Sequence, residues 1–188
     1  MSGVLQGELR WHGGDRFAIV VSRYNKTVTD RLLEGAGERL AAAGVPADAV
    51  DIVSVPGAWE LPVTAARLLW TTSHAGLISL GCVIQGETTH DRYINAQVSR
   101  SLSELSWRSG VPIAFGVLTC QTMEQALQRA GGRVGNKGAE AAEAVLELVD
   151  LFHRLPGGTG RPRMSLASPF SFMSDSPGRS GSGESFPE

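Results

Sequence analysis

The chain is short of cysteine, lysine, aromatics and long apolar runs, and each shortage excludes a class of protein. Its 188 residues hold two cysteines, Cys82 and Cys120. Two cysteines make no disulfide framework, and no CxxC or Cys/His spacing marks a metal site. Of 17 basic residues only Lys26 and Lys137 are lysines, so lysine-dependent chemistry has two candidates. The 17 basic residues are matched by 19 acidic ones, for a formal charge of -2. Non-specific nucleic-acid binding needs a strong positive surplus, and none is present. The same balance argues against anionic membrane surfaces. No apolar run approaches the ~18 residues of a membrane span. The start, MSGVLQGELRWHGG, lacks the charged and apolar regions of a signal peptide. The expectation is a reduced, cytoplasmic protein.

What is present is an alternation. Phe17–Ser22 (FAIVVS) is an apolar run suited to a buried parallel strand. Residues 28–43 place Val28, Leu32, Leu33, Ala36 and Leu40 at helical spacing, and Gly44 stops them. Further strands are expected at Val50–Val55, Ala75–Ile84 and Pro112–Thr119. Helices are expected at Trp59–Thr71, Thr89–Ser109, Thr122–Arg129 and from Asn136 to Leu155, the last with Ala141, Ala144, Val145, Leu148, Phe152 and Leu155 as its apolar face. Strand–helix alternation with short connections predicts an α/β fold, a parallel sheet with helices on both faces. Val4–Leu9 reads as an N-terminal edge strand, pairing in its own sheet or outside its own subunit. From Pro156 to Glu188, 19 of 33 residues are Pro, Gly or Ser, the composition of a disordered tail. The domain is therefore expected over 1–155 and the tail over 156–188.

Ligands of parallel sheets bind outside the carboxyl ends of the strands. There stands Gly86-Glu87-Thr88-Thr89-His90. Free N–H groups at a helix start, with hydroxyls beside them, suit a phosphate; the bland alternative is that Thr88 or Thr89 only caps the helix. His90, in the first turn, can give or take a proton near pH 7. Tyr24, Trp59 and Phe115 are read as strand-end aromatics able to sandwich a ring, or equally to serve packing, which for Phe115 alone is the better reading. Glu60 can accept from ring N–H groups or favour its own helix start. Arg129 and Lys137 flank the glycine-rich RAGGRVGNKG. Lys137 sits at the helix end unfavourable for a cation, which points it toward a ligand; the bland alternative is a solvated charge on a loop. His12, His74 and His153 lack such a setting and read as structural or exposed.

Six segments in order carry a family resemblance: SRYN (22–25), VPGAWELP (55–62), GCVIQGETTH (81–90), PIAFGVLT (112–119), EQALQRAG (124–131) and GNKGAEAA (135–142). Together they resemble 6,7-dimethyl-8-ribityllumazine synthase. The resemblance implies a three-layer αβα, flavodoxin-like fold with a four-stranded parallel sheet. It implies condensation of 5-amino-6-(D-ribitylamino)uracil with 3,4-dihydroxy-2-butanone 4-phosphate, the penultimate step of riboflavin biosynthesis, with no cofactor and no metal. By similarity His90 is the proton-transfer residue. Gly86, Glu87, Thr88, Thr89 and Arg129 take the phosphate, Arg129 reaching over from a neighbouring subunit. Tyr24, Ala58, Trp59, Glu60, Cys82, Val83, Ile84, Phe115 and Lys137 line the pyrimidine and ribityl pocket. The implied assembly is a homo-oligomer of pentamers, and the short loop from Ala130 to Gly138 resembles members that close into a 60-subunit shell. Riboflavin synthase stays open as a partner. The chain departs from the family pattern at Gln85, where Arg or Lys is common, at Asp91-Arg92, where the acid is expected one position later, and at Cys120, where Thr is common. Two other readings remain: a module that holds a lumazine or flavin without making it, and a scaffold with vestigial chemistry.

Overall fold

The structure is a computed structural model and describes residues 3–156. Strand β1 (Phe17–Ser22) is buried along its whole length, as a continuous apolar run between two helical layers must be. It lies between β2 (Val50–Val55) and β3 (Gly76–Ile84), and β4 (Ile113–Cys120) completes a parallel sheet of order β2-β1-β3-β4. Successive side chains on β1 point to opposite faces. Phe17, Ile19 and Val21 join one core with α1 (Lys26–Ala42), α4 (Met123–Arg129) and α5 (Lys137–Arg154). Ala18 and Val20 join a second core with α2 (Leu61–Thr71) and α3 (His90–Ser109). The result is the three-layer αβα arrangement expected from the alternation.

Local signals set the helix ends. The Thr122 hydroxyl accepts the Gln125 N–H and caps α4. The Asn136 side chain accepts from the Gly138 and Ala139 N–H groups and caps α5. Helices α1 and α5 pack so closely that a Cβ on Gly138 would stand 1.9 Å from the Leu32 carbonyl oxygen. Only glycine permits that approach.

Four expectations are corrected. Val4–Leu9 forms no edge strand in its own sheet. It lies along α5 instead, where the Glu8 N–H donates to the Asp150 carboxylate at 2.9 Å. His12 meets Asp150 at 2.9 Å, His153 meets Asp15 at 2.8 Å, and the two imidazoles stack with centroids 4.1 Å apart. Burial pushes the Asp150 carboxyl up, but the Glu8 N–H, His12 and Arg154 outweigh it and hold the group below the usual carboxylate range. Second, α5 turns Ala141, Ala142, Val145, Leu146 and Val149 to the core, while Leu148 is exposed, and Leu155 beyond its end is exposed too. Third, the glycine-rich loop folds as a small antiparallel pair, β5 (Ala130–Gly132) and β6 (Gly135–Asn136). Fourth, Phe115 is not at a strand end. It pairs opposite Ser79, five residues before the close of β4, or about 17 Å at strand rise. The segment 156–188, expected to be a tail, lies outside the described residues except for Pro156. Among the described residues no helix is long and apolar enough to cross a membrane, and no group of His, Cys, Asp and Glu could hold a metal ion.

Candidate functional site

The carboxyl ends of β1, β2 and β3 open on one cavity of about 540 Å³. Tyr24 and Asn25 follow β1. Gly57, Ala58, Trp59 and Glu60 follow β2, the last three as a 3-10 turn leading into α2. Cys82, Val83 and Ile84 are the last residues of β3, and His90, Tyr93 and Ile94 come from the first turns of α3. Eight of the residues singled out in the sequence meet here: Tyr24, Ala58, Trp59, Glu60, Cys82, Val83, Ile84 and His90. Asn25 and Gly57, which lie within SRYN and VPGAWELP, and Tyr93 and Ile94 join them without being among the candidate site residues. Helical spacing signals the last two, since i, i+3 and i+4 share a face with His90.

The Glu60 carboxylate has a structural engagement. Its Oε2 accepts the Gly57 N–H at 2.7 Å, a capping contact at the entry to α2, so the second oxygen remains for a ligand. Gly57 is in extended backbone, with φ -137°. What requires glycine there is the ring of Tyr24, 2.8 Å from where a Cβ would stand. The cavity carries its aromatic edges in the open: Tyr24 is 70% exposed, Trp59 55% and Tyr93 72%. Such flat apolar surface at a polar rim marks a binding site.

The α3 start differs from the starts of α4 and α5. Thr89 at its N-cap makes no side-chain cap bond, and the Thr88 hydroxyl stands 3.5 Å from the His90 N–H, beyond a good hydrogen bond. Capping therefore does not consume the hydroxyls. Gly86, Glu87, Thr88, Thr89 and His90 are all exposed, and α3 has the polarity that attracts an anion.

The remaining site residues lie elsewhere in the chain. Phe115 and Lys137 line a separate hollow of about 290 Å³ between β4 and α5, with Ala141, Ala144 and Leu148. Lys137 pairs with Glu140 one turn on. Arg129 is also outside the His90 cavity. Its Nη1 donates to the Gln125 carbonyl at 3.0 Å, and its charge reaches Cys120. The Cys82 thiol, desolvated by burial and beside Cys120, is pushed up to about 12, and burial raises Cys120 as well. Both stay neutral at pH 7 and serve packing, not nucleophilic attack. His74 is buried between the Thr72 hydroxyl at 2.6 Å and Asp51 at 2.7 Å, a structural tie at the other end of the sheet.

Residues 14–153 match the family model of 6,7-dimethyl-8-ribityllumazine synthase. The chain belongs to that family. It is 51% identical over 136 residues to the 6,7-dimethyl-8-ribityllumazine synthase of Rhodopirellula baltica, covering 72% of this chain and 88% of the relative. It is 46% identical over 151 residues to the Xylella fastidiosa strain M12 protein of the same name, covering 80% and 97%. The Halorhodospira halophila lumazine synthase is 42% identical over 152 residues, covering 81% and 97%. The match to the lumazine synthase family spans every strand and helix of the sheet layers and stops at the end of α5.

Proposed function

We propose that the Tyr24–His90 cavity binds 5-amino-6-(D-ribitylamino)uracil and that the open start of α3 takes the phosphate of 3,4-dihydroxy-2-butanone 4-phosphate. The single observation carrying this reading is the uncapped α3 start next to an aromatic cavity, with His90 between them. The uracil stacks on Tyr24. The free Glu60 oxygen and the β3 end meet its polar edge and ribityl chain. The 5-amino nitrogen attacks the ketone carbon and water leaves, giving an imine. Proton removal beside the imine, assisted by His90, expels inorganic phosphate. The resulting enol becomes a carbonyl, the ribityl-bearing nitrogen attacks it, and loss of a second water closes the ring. Most of the rate comes from holding two reactants in register. One acid/base group adds about 10²–10⁴-fold.

The site is composite. Arg129, Phe115 and Lys137 reach the cavity from a neighbouring copy. Supporting this, Phe115 and Lys137 share a hollow that His90 does not line, and an apolar groove with Trp107, Leu148 and Phe152 adjoins it. The active unit is a cytoplasmic pentamer, closed into a 60-subunit shell. The test is to mix the purified protein with both substrates and follow lumazine absorbance alongside native mass. Rate enhancement in a pentamer or shell is expected. A rate equal to the spontaneous condensation would refute the enzyme reading. His90→Ala should lower turnover about 10²-fold or more with unchanged native mass.

A further inference from the structure

Asn25 stands in the left-handed region, at φ 57° and ψ 45°, and is the one non-glycine residue among those described with positive φ. L residues avoid that region, and asparagine tolerates it better than most. Backbone outliers of this kind gather at functional sites, where surrounding contacts hold them. The usual local use of such a side chain is absent here: Asn25 precedes α1 yet makes no side-chain cap bond. Its Nδ2 instead donates 2.9 Å across the sheet to the Cys82 carbonyl.

The position of that carbonyl matters. The register between β1 and β3 ends at Val21–Leu80, while β3 runs on to Ile84. The Asn25 amide thus supplies a link between the two strand ends after backbone pairing has stopped. On one side of Asn25 is Tyr24, whose N–H donates to the Pro56 carbonyl at 3.2 Å and whose ring rests on Gly57. On the other side is the Cys82–Ile84 wall of the cavity. Tyr24 is too exposed to be held by packing alone. The turn that carries it is fixed by Pro56 behind and by Asn25 ahead.

We infer that Asn25 is a positioning residue for the uracil substrate: its amide locks the turn so that the Tyr24 ring stays on the cavity it shares with the end of β3. This rests on the proposed use of the cavity. It acts on the uracil side and not on the phosphate side, because the α3 start makes no contact with the amide bond.

Three variants separate the parts of the residue. Asn25→Gly keeps the left-handed backbone and loses the amide. Asn25→Asp keeps the shape and turns the donor into a carboxylate, which cannot donate to the Cys82 carbonyl. Asn25→Ala loses both the amide and the tolerance for positive φ. Steady-state rates are measured with each substrate varied, and calorimetric titration of 5-amino-6-(D-ribitylamino)uracil is run on the same full-length proteins. The expected result for Gly and Asp alike is a rise of about tenfold in KM and Kd for the uracil, with the phosphate substrate's KM within about twofold and native mass unchanged; that is the effect of losing one hydrogen bond of ordinary strength. Unchanged uracil KM and Kd in both variants would overturn the inference. So would equal rises for both substrates, the mark of a merely structural residue. Should the unaltered protein fail to accelerate condensation, the functional reading falls by itself, and the Kd ratio still decides the role of Asn25.

Discussion

Replacing Gly57 with alanine should damage recognition of the uracil while leaving the fold intact. The backbone at Gly57 is extended, so alanine meets no conformational strain. The added methyl would stand 2.8 Å from Tyr24 Cδ2, 3.0 Å from Cε2 and 3.2 Å from Glu60 Oε2. Carbon atoms settle at about 3.5–4.0 Å, so the ring must retreat by roughly 1 Å. Tyr24 is free to do so, being 70% exposed. The stability change should therefore stay within about 0.5 kcal/mol, as for other surface changes. A shifted ring loses its stacking contact, worth about 0.5–1.5 kcal/mol. At 1.4 kcal/mol per factor of ten, uracil KM should rise about two- to tenfold. The assay is steady-state kinetics in both substrates beside a thermal unfolding scan, in which the midpoint should move by less than about 3 °C. An unchanged uracil KM would remove Tyr24 from substrate stacking. A large fall in midpoint would mean that Gly57 serves packing instead.

Arg129→Ala should raise the KM of the phosphate substrate about 10- to 100-fold, the worth of a hydrogen bond to a charged group; equal loss for both substrates in the kinetic assay would contradict that role. Gly138→Ala drives a methyl against the Leu32 backbone and should destabilise by about 3 kcal/mol in denaturant unfolding. Gly37→Ala, on α1 with nothing within 4 Å, should instead stabilise by about 0.5–1 kcal/mol. Asp150 has a depressed carboxyl, so its contribution is present above its unfolded value near 4 and is lost as pH falls through the lower folded value. Unfolding midpoints of the unaltered chain and Asp150→Asn should therefore differ at pH 6 and converge below pH 4.

Much of the fold is written in local pattern. The limits of β1 and β2 follow from apolar runs closed by turn residues, and the helix ends from caps such as Thr122 and Asn136. The inner face of α5 does not follow, because the helix carries two apolar stripes and only one faces the sheet. Sequence spacing cannot say which stripe finds the core. At the site, the ends of β1, β2 and β3 and the first turn of α3 converge because parallel strands deliver their ends to one edge. Phe115 defies that rule by lying well inside β4. Asn25 left only a faint trace, the last letter of SRYN, since a left-handed turn and a cross-strand amide bond have no periodic signature.

The separation of the His90 cavity from the Phe115–Lys137 hollow would, under the proposed composite site, make turnover a collective property. In the proposed composite site no single folded chain would own a finished site, and the number of working sites would equal the number of closed contacts between copies. Dilution would lower activity by mass action as contacts between copies opened. A ring mixed from His90→Ala and Arg129→Ala chains would regain sites wherever the intact half of one met the intact half of the other. Selection on the rate would act at the same time on the contact, so that the chemistry itself guards the assembly.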